Sequence, residues 1–292
     1  MKLLLSFLLL FSVNSSIYAQ DTLITYLNKK WKKTDKDHAS YYRKTVMVSK
    51  NNWSVQDFHM NGKLQMSGYY LSKKAKKKNG HFVYYYPSGA KKSEWKIVNN
   101  VPTGKYKSWY VDGGLKESGE YSHNGKTKLW RYWKPNGKVD REGFYMDDMM
   151  NEEWKWFFDN GLVSSIEFYK DDKMINFHHF GLEGKELIND TVYQVYPKYV
   201  GGKKARVIFL KNNVNYPQRM IDKGISGTVI VSFVIEKDGS ISGARVSKSV
   251  HTELDNEALR VINRMPNWIP GKSHNRPVRV GFNMPVRFIL RR

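Results

Sequence analysis

The chain has 292 residues, no cysteine and a formal net charge of +22, from 49 Lys and Arg against 27 Asp and Glu. The lack of cysteine excludes disulfides, thiolate metal sites and a cysteine nucleophile, and the length allows two domains with separate cores. An excess of basic residues often indicates nucleic-acid binding, but the export signal described next favours an anionic envelope surface or an acidic protein, and we expect no nucleic acid as a partner.

Residues 1–20 have the pattern of a cleavable signal peptide. Lys2 supplies the positive start, residues 3–13 form an apolar run of eleven, and small and polar residues surround a cleavage site near Ala19 or Gln20. A membrane-spanning helix needs about 20 apolar residues, so this run is short for a permanent anchor. We therefore expect a periplasmic protein. The alternative is an inner-membrane anchor with the remainder of the chain facing the periplasm.

A short pattern recurs from residue 53 to 190, after a lead segment of residues 21–52. Aromatic residues precede a glycine turn, and a strand-like stretch with further aromatic residues follows it. A period in the twenties predicts stacked β-hairpins that share an aromatic core. The turn glycines are spaced by 27, 25, 23 and 24 residues; they are Gly62, Gly89, Gly114, Gly137 and Gly161.

These repeats resemble the MORN-type repeat, in the variant form found in bacterial proteins described as antitoxin-like. The resemblance implies an elongated, twisted β-meander. The functions attributed to such repeats include protein scaffolding and lipid contact, so the resemblance does not imply one ligand.

The tryptophans of the repeats allow two interpretations. They could form a surface that stacks against carbohydrate, or they could fill a thin core, where aromatic side chains cover the most area per residue. We favour the core because their placement follows the repeat. We interpret the lysine-rich residues 73–78 as a solvated loop, and His178 and His179 as surface residues that lack a third metal ligand. The tryptophans are Trp95, Trp109, Trp130, Trp133, Trp154 and Trp156.

Residues 191–292 have a different character, and their periodicity predicts a small α+β domain. Apolar residues at helical spacing indicate amphipathic helices at 203–213 and 252–265, and residues 215–224 form a shorter helical segment. We expect an antiparallel sheet with two helices packed on one face.

Three strands complete this predicted domain. The β-branched run at 228–235 suits a buried central strand, Asp238-Gly239 suits a tight turn, and 241–249 returns beside the first strand. Residues 278–290 alternate apolar and polar side chains, as in a strand with one buried face. Pro285 places this last strand at a sheet edge or at a bulge, because proline cannot donate to the ladder.

Four segments of this region, NYPQRM, GISGTVIVSFVIEKDGSI, NEALRVINRMPNWIPGK and VRVGFNMPVRFIL, carry a family resemblance. Residues 196–290 resemble the C-terminal domain of TonB-type energy transducers. The resemblance implies capture of an extended segment of an outer-membrane TonB-dependent transporter, which is added as a strand to an open sheet edge. It implies that the backbone of the last strand, 278–290, contacts the partner, together with the segment that enters the first helix. Arg279 and Arg287 either engage acidic groups on the partner or are only the solvated face of the strand. The residues in question are Asn215, Tyr216, Pro217, Arg279, Val280, Phe282, Met284 and Arg287.

The first functional hypothesis is a periplasmic TonB-like protein-binding module linked to TonB-dependent transmembrane transport. Full transducers of this type also have a retained membrane helix and a long proline-rich spacer, whereas the nine prolines of this chain are scattered. The alternative is an envelope scaffold that binds glycan, anionic lipid or protein through its repeats, without energy transduction. An exposed sheet edge would also allow a homodimer.

The sequence favours a binding protein over an enzyme. It contains no recognisable nucleophile–base pattern, metal-ligand spacing or phosphate-binding glycine loop. We therefore expect no catalytic residues, no cofactor and no metal site.

Overall fold

The structure, a computed structural model, describes residues 22–188 and 194–290. The predicted signal peptide lies outside these residues. These residues divide into two compact units: the first runs to residue 128 and includes 135–137, and the second consists of 129–134 and the residues from 138 onward. Each unit is described below by itself.

The first unit is an antiparallel β-meander in which each strand is hydrogen-bonded to the next along the chain. Its core consists of Val55, Met66, Tyr70, Phe82 and Ile97, which alternate with more exposed residues along their strands. The strands are β1 (Leu23–Leu27), β2 (Tyr41–Ser49), β3 (Asn52–His59), β4 (Leu64–Tyr70), β5 (Gly80–Tyr85), β6 (Lys91–Val98), β7 (Val101–Trp109) and β8 (Leu115–Ser122), followed by β9 (Gly125–Trp133), which continues into the second unit.

The tight turns of this strand-rich region are consistent with the predicted repeats. In the Gly113-Gly114 pair the left-handed residue is Gly113, with φ of 91°, so the prediction of Gly114 as the turn glycine is wrong by one position. The lead segment predicted for residues 21–52 contains β1 and β2, which belong to the same meander. The other predicted turn glycines have φ between 79° and 96°; they are Gly62, Gly89, Gly137 and Gly161.

The second unit begins with more antiparallel strands, and their aromatic side chains form its core. Trp130, Trp154 and Trp156 are at most 3% exposed, and Trp133 is half-buried, as are Trp95 and Trp109 of the first unit. The prediction that His179 lies at the surface is wrong: it pairs with Ser165 on the buried face of the sheet and is 2% exposed. The strands are β10 (Val139–Met146), β11 (Met149–Phe157), β12 (Val163–Lys170) and β13 (Lys173–His179).

The remainder of the second unit has the α+β architecture that the periodicity predicts. The central strand is β15, which lies between β16 and β19, and the helices cover one face of this sheet with Met220, Leu254 and Ile262. The described residues contain three helices, which lie at the three segments predicted to be helical. The elements are β14 (Gln194–Val195), α1 (Gly202–Asn213), α2 (Gln218–Asp222), β15 (Gly227–Ile235), β16 (Ile241–Lys248), α3 (Thr252–Asn263), β17 (Gly271–Ser273), β18 (Arg276–Val278) and β19 (Val280–Phe288).

The turn between β15 and β16 is packed against the segment that leads to the last strands. Gly239 has φ of 85°, and a Cβ built on it would lie 1.8 Å from the carbonyl oxygen of Trp268. The Trp268 amide donates to the Gly239 carbonyl at 2.7 Å. Only glycine therefore fits this position, for reasons of both conformation and space.

Candidate docking edge on the last strand

The last strand, β19, lies at the edge of its sheet. Across residues 22–188 and 194–290, β15 is the strand that pairs with it, and Val280–Phe288 oppose Gly227–Ile235 in continuous register. The even-numbered side chains of β19 point to the core: Met284 is 2% exposed and Val286 and Phe288 are 1% exposed. The odd-numbered side chains are exposed, as the predicted alternation requires.

The backbone N–H and C=O groups of β19 also alternate, pointing toward β15 and away from it in turn. Which residues point which way follows from the direction of the backbone groups of Ile230 in β15, the residue opposite Pro285. The Ser247 hydroxyl of β16 donates to the Ile230 carbonyl at 3.1 Å, so Ile230 directs its backbone groups toward β16 and away from β19. Pro285 is directly opposite Ile230 and therefore occupies a non-hydrogen-bonded pair, whose backbone groups point away from β15. A proline is tolerated there because no ladder bond is lost.

By the same alternation, the outward backbone groups belong to Gly281, Asn283, Pro285 and Arg287. Together they present four carbonyls and three N–H groups along one edge. We call the outer side of residues 281–287 the docking edge.

The predicted contact residues divide into two classes at this edge. Val280, Phe282 and Met284 place their side chains in or beside the core and direct their backbone groups to β15. A strand added at the docking edge would instead meet the backbone of Gly281 and Asn283. In such an arrangement the three even-numbered residues would contribute indirectly, by holding the strand in its register.

The segment of Asn215, Tyr216 and Pro217 meets the far end of β19. The Tyr216 ring packs edge-on against Phe288 with centroids 5.4 Å apart, and its hydroxyl donates to the Ile225 carbonyl at 2.7 Å. Burial raises the pKa of the Tyr216 hydroxyl. Asn215 donates its backbone N–H to the Glu257 carboxylate at 2.6 Å, and Pro217 is the residue that precedes α2.

The two arginines predicted to meet a partner have different surroundings. Arg279 is bound by both oxygens of Glu236, at 2.7 and 2.8 Å, and hydrogen bonds from Arg279 and Ser242 lower the pKa of Glu236. Arg287 is exposed and lies opposite Thr228 in the register. An acidic group on a partner would therefore compete with Glu236 at Arg279 but not at Arg287.

A second group of contacts in this unit was missed by the reasoning from sequence. The tip of the β17–β18 hairpin places His274 against Glu167, with 2.7 Å between Nδ1 and Oε1, and stacks the His274 ring on Trp156 at 4.2 Å. Glu167 is fully buried. The neighbouring Arg276 donates to the Asp140 carboxylate at 2.7 Å. A Ser-His-Asn-Arg tip is a turn signal, but nothing in the sequence indicates which surface the tip contacts.

Comparison with known families covers just over a quarter of the chain. Residues 212–290 match the family model described as Gram-negative bacterial TonB protein C-terminal, so the chain contains a TonB C-terminal domain, and the docking edge lies within it. No curated protein matches the chain. The described residues include no helix that is both long and apolar enough to cross a membrane, and no cluster of three or more potential metal ligands.

Proposed function

We propose that the chain is a periplasmic binding protein that docks an extended segment of an outer-membrane TonB-dependent transporter at the docking edge, as part of TonB-dependent transport. The observation that supports this proposal most directly is the open edge of β19 inside the matched TonB C-terminal domain. An unpaired edge offers main-chain hydrogen bonds that an extended peptide can complete, which is the basis of strand addition.

Within this proposal, the affinity comes from the outward backbone groups and the selectivity from the side chains beside them. Gly281 and Asn283 supply an uninterrupted pair of N–H donors, and Pro285 leaves one position without a donor. A partner strand therefore loses one ladder bond opposite Pro285. Arg287 favours a carboxylate on the partner near that end, and Tyr216 holds Phe288 in place behind it.

The test is a titration of the full chain with a synthetic peptide from the periplasm-facing end of a TonB-dependent transporter of the same bacterium. Asn283→Pro removes one outward N–H, and the partner acceptor that it leaves unsatisfied should weaken binding about tenfold. Asn283→Ala removes only the side chain and is the matched control, with an expected change of less than about twofold. Urea unfolding of both variants checks that the domain remains folded.

Amide chemical shifts of the unmodified chain give a second readout that needs no variant. Peptide binding should perturb the amides of Gly281, Asn283 and Arg287 more than those of Phe282 and Met284. A perturbation without this alternation, or equal affinity of the proline and alanine variants, would show that the peptide does not bind as an added strand.

A further inference from the structure

Three neighbouring cavities open on one face of the first unit. Their volumes are about 320, 190 and 100 Å³. The first and second share the lining residues Gln65 and Tyr84, and the second and third share Lys92 and Ser93. We call this continuous row of cavities the repeat groove.

The floor of the repeat groove is a single row of directly opposed residues that crosses seven strands. A row that served only the core would be apolar, as is the adjacent row of Phe82, Trp95 and Tyr106. The floor row is mostly polar instead. It consists of Arg43, Asp57, Met66, Tyr84, Ser93, Ser108 and Glu117, each paired with the next across the sheet.

One wall of the groove repeats with the sequence. In the hairpins that turn at Gly62, Gly89 and Gly113, the strand after the turn contains a β-bulge, and the extra residue is the third after the glycine. In the first unit these residues are Gln65, Lys92 and Lys116, and all of them line the cavities. A bulge re-aims a side chain that regular alternation would direct elsewhere. The repeats therefore present one polar or cationic side chain per hairpin to the same groove.

Aromatic side chains and an unsatisfied polar atom complete the groove. Trp31 lines the first cavity, is 43% exposed and adopts a φ of 58°, a conformation that is unusual for a bulky side chain. Its ring stacks on Tyr41 at 4.4 Å. The Oε1 atom of Gln65 is buried and accepts no hydrogen bond among the described residues. A ligand hydroxyl could satisfy it.

The second unit contains one example of charge matching at an equivalent position. There the equivalent positions, three residues after Gly137 and Gly161, are Asp140 and the bulge residue Ser164. Asp140 receives Arg276 from the hairpin tip of the same chain, and Ser164 is fully buried. At the first of these positions, then, an acidic residue, Asp140, binds a basic one, Arg276.

In the first unit the same position is occupied by lysine in two of three repeats. The charged lining groups are four cations against two carboxylates, and one pair of them, Arg43 and Asp57, is bound to each other. The occupant of the repeat groove should therefore be acidic.

We propose that the repeat groove binds an acidic oligosaccharide that runs across the strands. Sugar rings pack their C–H faces on aromatic rings, and their hydroxyls bond to polar side chains such as Ser93 and Gln65. The acidic substituents would meet Lys92 and Lys116. One hairpin spans about 10 Å across the sheet, two strands at about 4.8 Å each, which is close to the length of an extended disaccharide. Successive disaccharides would therefore face successive bulge residues.

An acidic peptide fits the same charge less well. The interior strands of the meander use their backbone groups in pairing with both neighbours, so the groove floor offers only side-chain hydrogen bonds. A peptide in the groove would leave many of its own backbone N–H groups without acceptors, which is unfavourable. The hydroxyls of a saccharide both donate and accept, so they suit a wall of mixed polar side chains.

The test is calorimetric titration of the full chain with three probes of equal length: hexagalacturonate, the neutral maltohexaose and hexaglutamate. The proposal expects saturable binding of hexagalacturonate and at least about tenfold weaker binding of the other two. Trp31→Ala, at an exposed position, should weaken binding of hexagalacturonate about fivefold.

Matched charge variants separate the groove from general attraction to a basic protein. Lys92→Gln with Lys116→Gln should weaken hexagalacturonate binding about tenfold or more. Lys105→Gln with Lys107→Gln removes the same charge from the opposite, exposed face of β7. This double variant should change the affinity for hexagalacturonate by less than about twofold. Equal losses of affinity for hexagalacturonate in the two double variants would overturn the proposal. So would hexaglutamate or maltohexaose binding as tightly as hexagalacturonate, or the absence of saturable hexagalacturonate binding.

Discussion

The contact between His274 and Glu167 predicts a large and measurable loss of stability on mutation. In His274→Ala the buried Glu167 carboxylate keeps its bonds from Ser165 and Tyr169, both at 2.7 Å, but loses the one from His274. A hydrogen bond to a charged group contributes about 1.5–3 kcal/mol, and the stacking of His274 on Trp156 about 0.5–1.5 kcal/mol. We therefore expect a loss of about 2–4 kcal/mol in the free energy of unfolding.

The assay is urea unfolding followed by tryptophan fluorescence, together with hydrogen exchange of residues 271–278. His178→Ala is the matched control, because His178 makes a similar 2.6 Å contact with Glu186, but both side chains are about half exposed. An exposed pair of this kind contributes at most about 1 kcal/mol. If His274→Ala costs no more than His178→Ala, the buried contact does not stabilise the second unit, and our reasoning is refuted.

The same contact also predicts a dependence on pH. Burial raises the pKa of Glu167, but the hydrogen bonds from His274, Ser165 and Tyr169 outweigh it and hold the pKa below its usual value of 4.5. A carboxyl with a lowered folded-state pKa stabilises the fold above its unfolded pKa, and this contribution is lost as the pH falls through the folded value. The stability difference between the native chain and Glu167→Gln should therefore be full at neutral pH and shrink below about pH 4.5.

The remaining predictions concern two glycines that neighbouring groups approach closely. Gly239→Ala should destabilise the C-terminal domain by more than about 2 kcal/mol in urea unfolding, because the Trp268 backbone cannot move away. Gly243→Ala, at a left-handed position with open space around it, should cost only about 1 kcal/mol, and equal losses would contradict the steric argument. Gly68→Ala places a Cβ 2.2 Å from the Phe82 ring and should cost about 1–3 kcal/mol in thermal unfolding of the first unit. An unchanged melting temperature would mean that the ring has room to shift.

Local signals predicted most of the elements, because each depends on residues that are near one another in the chain. The alternation of residues 278–290 identified the buried face of β19. Pro285 predicted an edge or a bulge, since a missing donor is tolerated only where no ladder bond is needed, and the structure shows an edge in continuous register. The errors were also local. The turn glycine was displaced by one in the Gly113-Gly114 pair, because both residues lack a Cβ and the sequence does not distinguish their φ angles.

By itself, the sequence determined the hairpin period, the aromatic core and the secondary structure of the C-terminal domain, because hydrophobic periodicity and turn chemistry act over a few residues. Only the tertiary structure decided which backbone groups of β19 point outward, since their direction depends on the register against β15 and on the bond from Ser247 to Ile230. It also decided that His274 meets Glu167, a contact between residues 107 positions apart, and that Gln65, Lys92 and Lys116 line one groove. Such contacts follow from strand pairing and bulges across the sheet, which no spacing within a single strand specifies.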